Sequence, residues 1–169
     1  MRRETFFPRC RALAFFVLLA GLTFTIAGCD SGAQSISPHA PQIMLEIGTQ
    51  GDSMVFDQRE LSAPAGALIT VTFHNRSRLV TMDHNWILAQ PGTEESVVRD
   101  GVAAGAENDF VAPNDPNVIA KTRLTPRGES SSVTFPAPPP GSYPYLCAFP
   151  GHQMVMKGTL TITPRGPGH

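Results

Sequence analysis

The chain has 169 residues with 13 Lys+Arg against 14 Asp+Glu, a formal net charge of −1, and only 16% charged residues. The charges are scattered and build no basic patch, which excludes electrostatic recognition of nucleic acid. The length suits one domain, large enough to bury a core without covalent staples.

The first segment reads as a targeting signal. Arg2, Arg3, Arg9 and Arg11 precede an apolar stretch from Ala12 to Ile26. That stretch is short of the roughly 20 apolar residues a membrane span needs, and small residues follow it, as in a cleaved secretory signal. Ile26-Ala-Gly-Cys29 resembles the bacterial lipobox, whose cysteine receives a diacylglycerol thioether and becomes the new N-terminus. Residues 1–28 are therefore expected to be a lipoprotein signal peptide, with Cys29 as the lipidated residue. Multiple acylation is enough for stable anchoring, so the expected location is the periplasmic, extracytoplasmic face of a bacterial cell membrane. Asp30 resembles the signal that retains lipoproteins at the inner membrane.

Residues 29–41 carry the small, polar, Pro-containing run DSGAQSISPHAP and read as a flexible tether; His39 is a solvated residue of it. Cleavage removes the first 28 residues and leaves 141, with 9 basic and 13 acidic side chains, a charge near −4. It also settles the cysteines. Cys10 leaves with the signal and Cys29 is lipidated, so Cys147 is alone in an oxidising compartment with no disulfide partner.

Residues 42–169 read as one all-β domain of seven or eight short strands with turn chemistry between them. Ile43–Ile47 is the first run, and Met54–Phe56 begins a second that breaks at Asp57–Glu60. Ala67–His74 is the strongest strand, flanked by Pro64-Ala-Gly66 and Asn75-Arg-Ser77. Asn85–Leu88, Val118–Leu124, Ser131–Phe135, Ser142–Cys147 and Lys157–Ile162 follow. Pro144 within a strand implies a sheet edge or a bulge. Between the fourth and fifth runs, Thr93 to Gly105 has an N-cap candidate, an acidic first turn and a glycine stop. It predicts a short helix inside an insertion that runs on as loop through Asp109–Pro116.

The chemistry is concentrated in Tyr145-Leu-Cys-Ala-Phe-Pro-Gly-His-Gln-Met-Val-Met-Lys-Gly158. Cys147, His152 and Met156 put a thiolate, an imidazole and a thioether on one loop. A Cys/His/His site with a long axial Met is the blue-copper pattern, so a second histidine must come from elsewhere. His84, at the head of the Asn85–Leu88 run, is the candidate. His74 is its rival and reads as structural, and His169 is a terminal residue. Met154 competes with Met156 as the thioether. Trp86 reads as a buried core indole rather than an electron conduit.

Asp83-His-Asn-Trp-Ile-Leu88, together with the Cys147 loop, resembles the azurin family of blue (type 1) copper proteins, and among them the membrane-tethered, auracyanin-like lipoproteins. The resemblance spans about Ile43 to Thr163 and includes the helix-bearing flap. It implies a cupredoxin Greek-key β-sandwich, or barrel, holding one copper ion, Cu(I)/Cu(II). His84, Cys147 and His152 would be the equatorial ligands and Met156 the axial one, with a weak backbone carbonyl from Asp83 on the other side. A carboxylate at Asp83, where azurins have glycine, is expected to lower the reduction potential. Asn85 resembles the residue that ties the two ligand loops together, but its usual hydroxyl partner is replaced by Ala148, so one loop-to-loop bond is expected to be missing. The backbone N–H of Phe149 is expected to point at the Cys147 sulfur. Met54, Met82, Phe149 and Pro150 match positions of an apolar docking patch around His152.

These implications describe an electron carrier anchored in the membrane by lipid. Its partners would be redox proteins, namely a cytochrome, a reaction centre or an oxidase, with no small-molecule substrate. The loop offers no open coordination position and no general acid or base, so an enzyme is not expected. A dinuclear centre needs a second cysteine on this loop, where position 151 is Gly. A copper storage or delivery protein, and a copper-free scaffold domain, are the other readings.

Overall fold

The computed structural model describes residues 40–79 and 81–166. The signal peptide, Cys29, most of the tether, His39 and His169 lie outside the described residues. Eight strands and one helix of more than one turn are found there. Strands β1 (Gln42–Gly48), β3 (Leu68–His74) and β6 (Ser130–Pro136) form one sheet, with β3 in the middle, parallel to β1 and antiparallel to β6. Strands β2 (Glu60–Pro64), β8 (Lys157–Thr163), β7 (Gly141–Leu146), β4 (Ile87–Ala89) and β5 (Val118–Lys121) form the second, in that spatial order. The result is the Greek-key cupredoxin sandwich.

The two sheets meet because their strands alternate. In β3 the burial alternates strictly, with Ile69, Val71 and Phe73 turned inward, as a half-buried strand requires. They pack with Ile47, Phe135, Leu61, Trp86, Tyr145, Leu160 and Ile162 in one cluster that also holds Cys147 and Met156. Each such side chain contributes about 1.5–3 kcal/mol by leaving water, so the would-be ligands belong to the main core rather than to an appended loop.

The outward face of the first sheet is polar. Thr70 pairs with Thr134 at 2.9 Å and Thr72 with Ser132 at 3.0 Å. His74 Nδ1 lies 2.6 Å from Ser130 Oγ and Nε2 lies 2.5 Å from Glu46 Oε2. His74 is thus a cross-strand structural residue on the face away from the core.

Several local expectations change. The second strand is Glu60–Pro64, not the run from Met54 to Phe56; Leu61 and Ala63 point inward and the strand pairs with β8. Phe56 makes only an isolated bridge to Thr49. The short alternation in Glu-Leu-Ser-Ala-Pro was hidden by the adjacent turn residues, and Pro64 is tolerated because β2 is an edge strand. Asn85 and Trp86 precede β4 rather than belong to it.

Pro144 sits in a central strand, not at an edge. The Cys147 N–H donates to the Met156 carbonyl on the β8 side, so by alternation position 144 faces β4. Pairing with β4 ends at Tyr145, and the absent donor of Pro144 therefore costs no ladder bond.

Helix α1 (Glu94–Ala104) is the predicted flap helix. Thr93 precedes it but provides no side-chain cap; its hydroxyl donates to the Gln90 carbonyl instead. Val97 and Val98 pack on Ile87, Ala89, Leu146 and Ala148, forming a second small cluster outside the β4–β7 pair. The chain leaves the helix through Gly105 at φ 82°, a left-handed position where glycine carries no steric penalty.

Candidate metal centre

His84 is held by its own backbone. Its N–H donates to the Thr125 carbonyl at 3.2 Å and its carbonyl accepts the Thr125 N–H at 2.7 Å. Asn75 reinforces this clasp from the next loop, donating from Nδ2 to the carbonyls of Met82 (2.6 Å) and Thr125 (2.9 Å). Asn75, a turn residue by its sequence position, is buried and acts as a clamp.

Cys147 leaves the end of β7 with its N–H on the Met156 carbonyl at 3.1 Å. The loop then folds on itself. Gly151 takes a left-handed φ of 86° and starts a single 3-10 turn, His152–Met154. His152 N–H donates to the Phe149 carbonyl at 3.0 Å, and Met156 N–H donates to the His152 carbonyl at 2.8 Å. The Pro150-Gly151 pair in the sequence is the local reason for this reversal.

These supports bring His84, Cys147 and His152 together. Cys147 Sγ lies 3.9 Å from His84 Nδ1 and 3.7 Å from His152 Nδ1, and the two Nδ1 atoms are 3.1 Å apart. All three are buried, as is Met156, which packs in the same cluster as Cys147. Met154, the competing thioether, is 73% exposed, whereas the cluster is buried. Asp83 is half-buried beside His84.

Electrostatics match a metal-binding role. Burial, and secondarily the neighbouring His152, lowers the His84 pKa to about 4, and burial lowers that of His152. Both imidazoles are therefore neutral near neutral pH, the form that binds metals. Burial pushes the Cys147 thiol up to about 11, opposed by the neighbouring backbone N–H groups of Asn85 and Phe149. Cation binding must displace that thiol proton.

The donor set fits copper. Bonds of about 2.0 Å to nitrogen and about 2.3 Å to sulfur in a trigonal plane need N–S edges of about 3.7 Å and an N–N edge of about 3.5 Å. The S–N edges here are within about 0.2 Å of that and the N–N edge is about 0.4 Å shorter. A soft thiolate and thioether with two imidazoles is the copper combination, and no carboxylate joins the cluster among the described residues.

The surroundings are partly as expected. The loop-to-loop tie does not vanish with Ala148: Asn85 Oδ1 accepts the Ala148 backbone N–H at 2.9 Å, which needs no side-chain hydroxyl. Asn85 Nδ2 reaches the Asp109 carbonyl at 2.7 Å. Phe149 lies tilted over the His152 imidazole with ring centroids 4.5 Å apart. Met54 and Pro150 are exposed while Met82 and Phe149 are half-buried. Trp86 is fully buried against Phe135 and Tyr145. Asp109, Phe110 and Asn75 were not singled out from the sequence, because loop residues carry no periodic signal.

Two imidazoles, a thiol and a thioether buried inside a Greek-key sandwich define a protein of the cupredoxin class. The profile of the family described as "Copper binding proteins, plastocyanin/azurin family" matches residues 43–163, and the chain belongs to this family of copper-binding electron carriers. It is 39% identical to auracyanin-B of Chloroflexus aurantiacus over 143 residues, covering 83% of this chain and 60% of that protein. It is 39% identical to azurin iso-2 of Methylomonas sp. (strain J) over 120 residues, 68% of this chain and 93% of that one. The solved structure of auracyanin A, a "blue" copper protein of Chloroflexus aurantiacus, superposes with a TM-score of 0.68 at 35% identity, over 72% of this chain and 99% of that one.

Proposed function

We propose that this chain is a lipid-anchored, one-electron carrier of a bacterial membrane, passing electrons between redox proteins such as a cytochrome, a reaction centre or an oxidase. In this reading residues 1–28 are removed, Cys29 carries the lipid, residues 29–41 are the tether, and residues 42–169 are the copper domain. His84, Cys147, His152 and Met156 would hold the copper ion. The observation that supports it most is the convergence of a buried Cys147 with two neutral imidazoles at 3.7 and 3.9 Å. When bound, copper supplies one-electron exchange between Cu(II) and Cu(I).

The chain's own residues do the rest. The Thr125 clasp and the self-bonded loop hold the ligands from two directions, so they move little when the charge at the site changes. Burial keeps water out and leaves no open position for a substrate, which supports a carrier rather than an enzyme. His152 is the least insulated equatorial candidate, at 5% exposure. A partner would therefore meet the site at its edge, where exposed apolar residues favour a small, weak redox interface.

The test is to add Cu(II) to the metal-free domain. An intense visible thiolate-to-copper band is expected, lost in Cys147→Ser and kept in His74→Ala. Exchangeable copper without that band would overturn the carrier reading in favour of storage or delivery. For the anchor, labelled fatty acid should enter the full chain and not its Cys29→Ser variant; equal labelling of both would refute lipidation at Cys29.

A further inference from the structure

The segment between α1 and β5 contains two consecutive non-glycine residues in left-handed conformation, Asp109 (φ 59°) and Phe110 (φ 53°). That conformation is unfavourable for a residue with a Cβ, and such strain gathers where the surroundings impose it, commonly at functional sites. Aspartate tolerates it through local hydrogen bonds; phenylalanine has no such compensation. Something in the tertiary structure must hold the pair.

The holders are visible. Asp109 Oδ2 accepts from Lys121 Nζ at 2.7 Å, and Oδ1 accepts the Leu124 N–H at 2.8 Å. On the other side, the helix comes close only because position 101 is glycine: a Cβ there would lie 2.1 Å from the Phe110 carbonyl oxygen. The segment is thus pinned to β5 and to α1.

From this pinned position two lines of contact run to the metal centre. The Asp109 carbonyl occupies Asn85 Nδ2, which leaves Asn85 Oδ1 to face the Ala148 N–H. An amide side chain has one donor end and one acceptor end, so the flap carbonyl decides which way Asn85 points. Asn85 in turn stands between the two ligand segments, accepting the Ala148 N–H, and its backbone N–H lies beside the Cys147 sulfur. The second line is aromatic. Phe110 meets Phe149 edge-on at 5.3 Å and 73°, and Phe149 covers the His152 ring at 4.5 Å.

We propose that Asp109 and Phe110 form a positioning bracket that sets, from outside the ligand set, the orientation of Asn85 and of the His152 ring, and through them the reduction potential. Only the potential depends on the copper reading above; the hold on Asn85 and Ala148 belongs to the metal-free protein too. Weakening it loosens the N–H donors at the sulfur. Those donors stabilise the electron-rich, reduced site, so the potential falls when they are lost, in keeping with the tuning of blue-copper sites by hydrogen bonds at the sulfur.

The experiment compares Asp109→Ala, Asp109→Asn and Lys121→Met with the parent. In the metal-free protein, amide exchange at Ala148 is expected to speed up by about fivefold or more in Asp109→Ala, the effect of losing one buried hydrogen bond, relative to a remote β3 amide such as Val71. Asp109→Asn keeps an acceptor for Leu124 and should recover much of the protection. Lys121→Met removes only the ion pair and should show the same trend more weakly, which keeps the test open if Asp109→Ala does not fold. In the copper-loaded protein the potential should fall in the same order. Lower melting temperature with unchanged relative Ala148 exchange and unchanged potential would make the segment simple packing and overturn the bracket. A parent that takes up no copper would overturn the carrier reading, while the exchange data would still decide the bracket.

Discussion

Acidifying the metal-free protein should destabilise it before most of its carboxylates titrate. His84 is 1% exposed, and burial, aided by His152, lowers its pKa from 6.5 to about 4. The unfolded chain binds a proton at this residue near pH 6.5, while the folded chain refuses it until about pH 4. Stability is therefore whole above the unfolded pKa and is lost as pH falls between the two values, because the unfolded state binds more protons there. Going from about pH 7.5 to about pH 4.5, His84 alone costs about 2 to 3 kcal/mol. His152, also lowered by burial, acts in the same direction. The assay is urea unfolding of the metal-free domain across this window, with His84→Gln as control. The parent midpoint should fall steadily below pH 6.5 and the variant should fall less. A flat parent profile, or a variant with the same slope, would refute the claim that a buried neutral His84 governs acid stability.

Other outcomes follow from packing. In Gly158→Ala a Cβ would sit 2.3 Å from the Tyr145 ring and 2.6 Å from the Arg59 carbonyl; the substitution should cost about 1–3 kcal/mol as overpacking, read as a lower urea midpoint. Met154→Ala, at an exposed position, should leave stability within about 0.5 kcal/mol and the copper spectrum unchanged. Met156→Ala removes a fully buried side chain and should cost about 2–5 kcal/mol while altering the spectrum. Met82→Glu should slow electron exchange with a partner and leave the visible band in place; an equal rate would remove Met82 from the docking surface.

What the chain determined by itself is what lies close together along it. Cys147, His152 and Met156 share one loop, so their spacing already selects a soft, mononuclear site. Strand alternation in Leu68–His74 and the Gly105 stop after the flap helix are likewise local, because backbone geometry sets which way neighbouring side chains point.

What only the tertiary structure decided is every contact between distant segments. His84 rather than His74 faces Cys147 because the first turns inward beside Thr125 and the second points out to Ser130 and Glu46. Pro144 is harmless in a central strand because the pairing of β7 with β4 stops at Tyr145. Asn85 still joins the ligand loops because a backbone N–H replaces a hydroxyl, and Asp109 and Phe110 reach the site although 38 and 37 positions separate them from Cys147. Covalent spacing cannot encode these choices; they come from which surfaces the two sheets and the flap bury together.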